Sequence, residues 1–417
     1  MSDMTDQKPN GLAAYVTVTA AYWAFMLTDG ALRMLVLLHF HTLGFSAVQL
    51  AYLFLLYELM GVITNLSAGW IAARFGLTTT LYAGLAIQIA ALLALAQLDP
   101  DWPLATSVLF VMSVQGLSGI AKDLSKMSAK SAVKLLAPKG NGGLFRWVAI
   151  LTGSKNAVKG LGFLLGAALL ATAGFQTAIW AMAAVLAVIL TGTMVFMPSG
   201  LPQGKKSVKF NQVWSKDRNI NRLSLARMFL FGARDVWFVV GIPIYFYAVL
   251  SDGTPSGDRT AFFTIGTFMA VWIILYGFVQ SLAPKILNAS QKSTVEISQA
   301  ATRWVAILTL IPAALAAIVA LGLPNLTPVL VMGLLIFGFV FAVNSAVHSY
   351  LILAFTSDER VTMDVGFYYM SNAAGRLLGT FLSGLSYQAG GLPLCLATAA
   401  MMAGASTLAA RQLTRQA

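Results

Sequence analysis

The sequence predicts an all-α polytopic membrane protein with twelve transmembrane helices in two pseudo-symmetric halves of six. Three observations predict it. Apolar residues make up 58% of the 417-residue chain and charged residues 10%, with a mean hydropathy of +0.77; water-soluble domains lie outside that range. The apolar residues gather into runs of roughly 20 or more, the length that crosses ~30 Å of hydrocarbon. The charged residues inside those runs then recur with a period of three spans.

In chain order, spans are expected at 12–42, 46–73, 78–98, 104–136, 144–172 and 175–197, then at 221–250, 260–287, 300–322, 328–355, 363–389 and 391–411. Residues 1–197 form the first half, 198–220 a basic linker and 221–417 the second half. The linker carries Lys205, Lys206, Lys209, Lys216 and Arg218. Placing it in the cytoplasm also puts Arg74, Lys139, Lys285, Lys292, Arg360, Arg411 and Arg415 there, and leaves the nearly neutral or acidic loops 99–103 and 251–259 outside. That asymmetry is the positive-inside pattern, so both termini are expected in the cytoplasm. Spans three, six and twelve carry no charged residue in their interiors, and span nine has only Arg303 at its entrance. Every third helix is therefore expected to face lipid. A three-helix unit used four times matches the architecture of major facilitator transporters.

Composition also excludes several functions. The longest polar stretch, roughly 25 residues, is too short to fold as a catalytic domain, since a small domain needs about 40. No Gly-rich loop ending in Gly-Lys-Ser/Thr is present, so the chain does not bind ATP for a primary pump by that route. The net charge of +12 is explained by membrane orientation and points to no nucleic acid. With Cys395 the one cysteine, no thiolate metal cluster can form. His39, His41 and His348 lack metal-ligand spacing, so no metal or other cofactor is expected. Met1 to Asn10 is polar, and no cleavable leader is expected. No nucleophile constellation suggests an enzyme.

What remains is a surplus of positive charge inside the spans. Arg33, Lys122, Lys126, Lys155, Lys159, Arg227, Arg234 and Arg376 outnumber Asp29, Glu58, Asp123 and Asp235. A cation in hydrocarbon costs a few kcal/mol (~3) on insertion scales, so these side chains need a wet cavity or a counter-ion. Too few counter-ions exist within the chain, and the missing negative charge is expected to arrive with the substrate.

Asp29 and Arg33 stand one helical turn apart, where they can pair along one face; alternatively Arg33 grips an anion while Asp29 releases it. Gly232-Ala233-Arg234-Asp235 is a partial echo in span seven. Lys122, Lys126, Lys130 and Lys134 form a stripe at four-residue spacing, of which Lys130 and Lys134 reach the headgroups. Lys122 and Lys126 lie deeper, with Asp123 placed to neutralise one of them. Lys155 and Lys159 have no acid beside them on span five, and Asn156 adds hydrogen-bonding capacity. Gly160, Gly162 and Gly166 read as close helix packing. Arg33, Arg234 and Arg376 are the preferred clamps, because a guanidinium keeps its charge and offers a fixed fork of donors to an oxyanion. Arg146, Arg222 and Arg227 lie nearer the helix ends and read as residues that reach the headgroups. Among the coupling candidates Asp29, Glu58 and Asp235, Glu58 comes first: it has no charged neighbour on its own helix, although a salt bridge to a surplus cation is the equal alternative.

Gly69-Trp70-Ile71-Ala72-Ala73-Arg74-Phe75-Gly76 resembles the loop signature of the major facilitator superfamily. Ala73 stands where an acid is usual, so the family's gating interaction at this loop does not carry over. Three longer strings, Leu27 to Phe40, Gly119 to Ser128 and Leu144 to Ala157, resemble the organoarsenical efflux permeases of bacterial arsenic resistance, the ArsJ family. That resemblance implies export of 1-arseno-3-phosphoglycerate across the bacterial inner membrane, with glyceraldehyde-3-phosphate dehydrogenase as the partner that makes the substrate from arsenate. A pentavalent arsenic ester is an oxyanion suited to cations, in keeping with a chain almost without thiols. A general organophosphate or phosphate transporter is the alternative.

Overall fold

Long apolar runs fold as helices in a membrane because hydrocarbon offers no partner for a backbone N–H or C=O, and an α-helix satisfies both internally. The computed structural model describes residues 8–136, 143–197, 214–288, 291–322, 324–356 and 361–413. The first six helices are α1 (Lys8–Thr42), α2 (Ala47–Phe75), α3 (Leu77–Leu95), α4 (Leu104–Leu136), α5 (Gly143–Ala173) and α6 (Phe175–Phe196). They are followed by α7 (Arg218–Leu250), α8 (Pro255–Ile286), α9 (Thr294–Ala320) and α10 (Leu326–Phe355). The linker residues Lys205, Lys206 and Lys209, together with Lys139, Arg360 and Arg415, lie outside the described residues.

The last helical run, Val361–Arg411, is 51 residues long, more than twice the length that spans a bilayer. Gly390 and Gly391 interrupt it with non-helical backbone angles. Contacts with α7 show that the chain reverses there. Asn372, Arg376 and Ser383 meet Arg227, Asp235 and Val240 in ascending order. Cys395, Ser406 and Gln412 then meet Val236, Ala226 and Arg222 in descending order. The run is thus two antiparallel helices, α11 (361–389) and α12 (392–411), and the described residues form twelve helices, as the sequence predicts.

The junction between the second and third helix of a three-helix unit is built alike in three places. Gly76 before α3 has φ 80° and ψ 167°, and Gly174 before α6 has φ 79° and ψ 171°; Gly391 before α12 has φ 62° and ψ −158°. This region of backbone space is open essentially to glycine alone. Elsewhere side chains mark the starts. Asp217 accepts from Asn219 N and Ile220 N at α7, and Ser293 with Glu296 closes a capping box at α9. At α8, Thr254 accepts from Gly257 N; α8 thus starts at Pro255 and α9 at Thr294, five to six residues earlier than the apolar runs suggested, because a polar first turn contributes nothing to hydropathy.

Helices α1 to α6 pack among themselves, as do α7 to α12, and the two groups meet mainly through α2 against the Val361–Arg411 hairpin and α5 against α8. Small residues allow the close approaches. Gly162 lies against Gly30 of α1, Gly166 against Ala31, and Gly160 against Ala270 of α8, so the glycines of span five do serve packing. The expected lipid-facing helices follow in part. Only 28% of the apolar window of α6 and 22% of that of α9 is buried, against 78% for α1 and 89% for α7. Their exposed side chains, such as Val188, Val195, Phe196 and Leu310, are apolar. The α3 window departs from this at 44%, the same as α2, because Gly84 lets α3 lie directly on Ser125 of α4.

A Cβ on Gly30 would stand 2.6 Å from Lys159 O and 3.3 Å from the Cα of Gly162, whereas nothing lies within 4 Å of one on Gly192. Gly30→Val should therefore destabilise the detergent-solubilised protein by about 1–3 kcal/mol and Gly192→Val should not. Thermal unfolding of the two variants side by side checks this.

Candidate functional site: a cationic cavity between the two helix groups

The eight intramembrane cations all line one cavity of about 210 Å³: Arg33, Lys122, Lys126, Lys155, Lys159, Arg227, Arg234 and Arg376. Asp123, Asp235, Asn156 and several hydrogen-bonding side chains share the wall. Five helices of different sequence position supply these charges, α1, α4, α5, α7 and α11. Each presents them on the face turned away from lipid.

The deepest feature is a ladder of alternating charge. Glu58 of α2 is fully buried, and its Oε1 accepts from Arg33 Nη1 at 2.9 Å and from Arg376 Nη2 at 2.6 Å. Arg376 Nε continues to Asp235 Oδ2 at 3.1 Å, and Asp235 Oδ1 accepts from Arg234 Nε at 2.6 Å. Three cations and two carboxylates thus join α1 and α2 to α7 and α11. Two atoms in the ladder are buried without a hydrogen bond, Arg33 Nη2 and Glu58 Oε2. The rings of Phe54 and Tyr57 support Arg33 at 5.1 and 5.6 Å, and Phe231 supports Arg234 at 5.0 Å, each a cation–π contact.

Two further carboxylates are held within the first group. Asp29 accepts from Tyr57 Oη at 2.6 Å and from Lys159 Nζ at 3.0 Å. Asp123 accepts from Lys126 Nζ at 2.5 Å, Thr64 Oγ1 at 2.7 Å and Asn65 Nδ2 at 3.1 Å. Toward the end of the bundle where α7 begins lies a belt of neutral groups. Asn156 Nδ2 donates to Gln280 Oε1, Gln280 Nε2 to Ser345 Oγ, and Arg227 binds Ser345 and Asn372. At the opposite end the groups close on each other: Val48 N donates to Gln388 Oε1 at 3.2 Å, and His41 meets Tyr247 edge to face at 4.9 Å.

The structure decides several alternatives that the sequence leaves open and corrects the reading of Arg227. Asp29 and Arg33 do not pair, although their spacing permits it. Tyr57 and Lys159 satisfy Asp29, and Arg33 pairs instead with Glu58, which Arg376 also binds. Glu58 has no charged neighbour on its own helix, yet two arrive from other helices. Lys159 likewise finds an acid on α1, while Lys155 lies half-buried at the cavity wall one turn away. Asp123 neutralises one of the two deep lysines of α4, as expected, and that one is Lys126. Arg227 is not a headgroup residue: it is buried in the cavity, over the Phe231 ring at 4.0 Å. Arg222 does sit at a helix end, donating to Gln412 O. The side chains of Lys130, Lys134 and Arg146 lie outside the described residues. Sequence reasoning missed Tyr57, Asn65, Tyr276, Gln280 and Asn372; their neutral polarity inside apolar spans was the available signal.

The echo between spans one and seven has a structural counterpart. Asp29 of α1 pairs with Lys159 of α5, and Asp235 of α7 pairs with Arg376 of α11. In each case a glycine three residues beyond the cation packs on the partner helix: Gly162 on Gly30, and Gly379 on Gly232. One acid–cation–glycine arrangement is therefore used in both groups of six.

The profile described as Major Facilitator Superfamily matches residues 12–295, about two thirds of the chain, and the chain belongs to that superfamily, whose members are multi-pass membrane transporters. By sequence, no protein of curated function matches it. The fold is similar to that of a POT family transporter solved with a thioalcohol-conjugated peptide, with TM-score 0.72 and 15% identity over 94% of each chain. It is also similar to a POT family transporter solved with 5-aminolevulinic acid, with TM-score 0.70 and 15% identity over 96% of each. A third similar structure is a mutant of the nucleoside transporter NupG, with TM-score 0.66 and 16% identity over 96% of this chain and 98% of that one.

Arg376 and Asp235 are buried partners in one network, so their substitutions should not add. In a cycle of Arg376→Gln, Asp235→Asn and the double variant, the coupling in unfolding free energy should fall within about 0.5–3 kcal/mol. Additivity within roughly 0.3 kcal/mol would refute the ladder.

Proposed function

We propose that this chain is a secondary active exporter of the organic oxyanion 1-arseno-3-phosphoglycerate, resident in the bacterial inner membrane and conferring resistance to arsenate. One observation carries the reading: among the described residues, eight cations line the cavity, and the carboxylates at or just behind its wall number four. An excess of four positive charges at membrane depth is costly when the cavity is empty and favourable when a multiply charged anion fills it. The arsenical carries an oxyanion at each end. Glyceraldehyde-3-phosphate dehydrogenase would supply it in the cytoplasm by accepting arsenate in place of phosphate.

The strings that resemble organoarsenical permeases support the choice of substrate, because they contribute Arg33, Lys122, Lys126, Lys155 and Asn156 to the cavity wall. In the proposed cycle, residues 1–197 and 221–417 are the two bodies that rock about this site, joined by the 198–220 linker, with both termini in the cytoplasm. The contacts of Val48 with Gln388 and of His41 with Tyr247 then seal the outer end. An organophosphate lacking arsenic offers the same charges, and transport separates the two. Everted vesicles given glyceraldehyde-3-phosphate, NAD, the dehydrogenase and arsenate should accumulate arsenic only when the chain is present. Equal accumulation without the dehydrogenase overturns the organoarsenical reading.

Glu58 is the proposed coupling group, with Asp29 and Asp235 as the other candidates. Its Oε1 serves two guanidinium groups while Oε2 is buried without a partner. A glutamine there keeps an acceptor oxygen for the arginines and cannot exchange a proton. Glu58→Gln should abolish accumulation driven by a pH gradient and preserve substrate exchange; normal gradient-driven transport eliminates Glu58.

A further inference from the structure

Two buried cavity cations have no carboxylate within ion-pair distance among the described residues. Lys122 is buried with its Nζ 4.0 Å from the centre of the Tyr57 ring, and its neighbour Asp123 is occupied by Lys126. Arg227 is buried among neutral acceptors: its Nε donates to Asn372 Oδ1 at 2.9 Å and its Nη1 to Ser345 O and Oγ at 3.0 and 3.1 Å. Its Nη2 makes none of these bonds.

We infer that Lys122 and Arg227, one from each group of six helices, are the two anion subsites, and that the cavity selects organic anions charged at both ends. This deepens the proposed function and rests on it. The first argument is electrostatic. An anion approaching Arg33, Arg376 or Lys159 must displace Glu58, Asp235 or Asp29 from an existing buried pair, and that exchange recovers little. An anion approaching Lys122 or Arg227 displaces no charge, and the buried cation gains the counter-ion it lacks. The guanidinium fork also offers a carboxylate or acyl oxyanion directional hydrogen bonds.

The second argument is placement. Lys122 Nζ and the Cβ of Ala373 each lie 3.7 Å from the point where a Cβ on Gly61 would stand, with Asp123 Oδ2 at 3.5 Å from it, so Lys122 lies near α11 at the level of Ala373. Arg227 meets α11 at the adjacent residue, Asn372. Both cations line the same cavity, one from each group of helices, near one short segment of α11. A single small oxyanion contacts one of them; an elongated anion reaches both and bridges the two helix groups. Ser349 of α10 lines the cavity, and two further polar side chains of that helix are buried outside its lining. His348, one turn beyond Ser345, is fully buried with neither ring nitrogen hydrogen-bonded, and the Asn344 amide is buried and equally unpartnered.

Calorimetric titration of the purified full chain with stable probes tests this. The probes are 3-phosphoglycerate, charged at both ends, glycerol 3-phosphate, charged at one, and inorganic phosphate. The unmodified protein should bind 3-phosphoglycerate about tenfold tighter than glycerol 3-phosphate, a difference of ~1.4 kcal/mol. Arg227→Gln should erase that preference by weakening 3-phosphoglycerate roughly tenfold, while glycerol 3-phosphate changes less than about twofold and so reports that the site is still folded. Lys122→Gln should weaken both probes. If the glutamine variant does not fold, Arg227→Lys, which keeps the charge and loses the fork, should weaken 3-phosphoglycerate more than glycerol 3-phosphate. Equal binding of the two probes by the unmodified protein, or equal effects of the Arg227 substitution on both, overturns this inference alone. Failure of the unmodified protein to bind any of the three overturns it together with the proposed function.

Discussion

The architecture of the cavity depends on one buried carboxylate. Glu58 has no exposed surface, and a carboxylate in that position is tolerable only with compensating charge. It receives compensation twice, from Arg33 in the first group of helices and Arg376 in the second. Because both guanidinium groups meet at one oxygen, α1, α2 and α11 are fixed in relation to one another, and Arg376 is left with its Nε turned to Asp235. The ladder is thus the main charged connection described between the two groups. It lies at the depth where a transporter has to let one group move against the other.

Around that connection the molecule repeats itself. The acid–cation–glycine arrangement of α1 with α5 recurs in α7 with α11, which brings Lys159 and Arg376 to comparable positions and packs their helices through glycine. Glu58 breaks the repeat, for α8, the counterpart of α2, offers the neutral Tyr276 and Gln280 to the cavity instead. Charge compensation is therefore uneven. On the α7 and α10 side Arg227 is buried with serine and asparagine and, among the described residues, no acid within ion-pair distance. The same cavity presents cations paired with carboxylates beside Lys122 and Arg227, which have no carboxylate within ion-pair distance among the described residues.

The π-helical turn at Trp237–Gly241 follows directly on Arg234 and Asp235. Its backbone is pinned from two sides, with Ser383 Oγ accepting from Val240 N and Gly241 N and Cys395 Sγ donating to Val236 O. Trp237 packs edge to face on Trp272 and Phe337, so α7 is anchored to the aromatic interior of its own group while its Arg–Asp pair faces the cavity. The lone cysteine accordingly has a packing role, in keeping with its complete burial.

Much of the fold was legible in the chain because hydrocarbon imposes a one-dimensional rule: an apolar run of sufficient length must be a helix and must cross. That rule placed twelve spans, including the reversal at Gly390 and Gly391, and the count of cations against acids required a wet cavity. Partner choice was not legible. Sequence spacing gives only the neighbours three and four residues away on one helix, and by that measure Asp29 belonged to Arg33 and Glu58 to nothing. The tertiary structure decided otherwise because packing brings Lys159, Tyr57 and Arg376 to those carboxylates from more than 25 residues away in the chain. Arg227 shows the same limit. Distance from a helix end measures depth but not which face turns inward, and only the packing of α7 against α10 and α11 directed that guanidinium into the cavity rather than toward the headgroups.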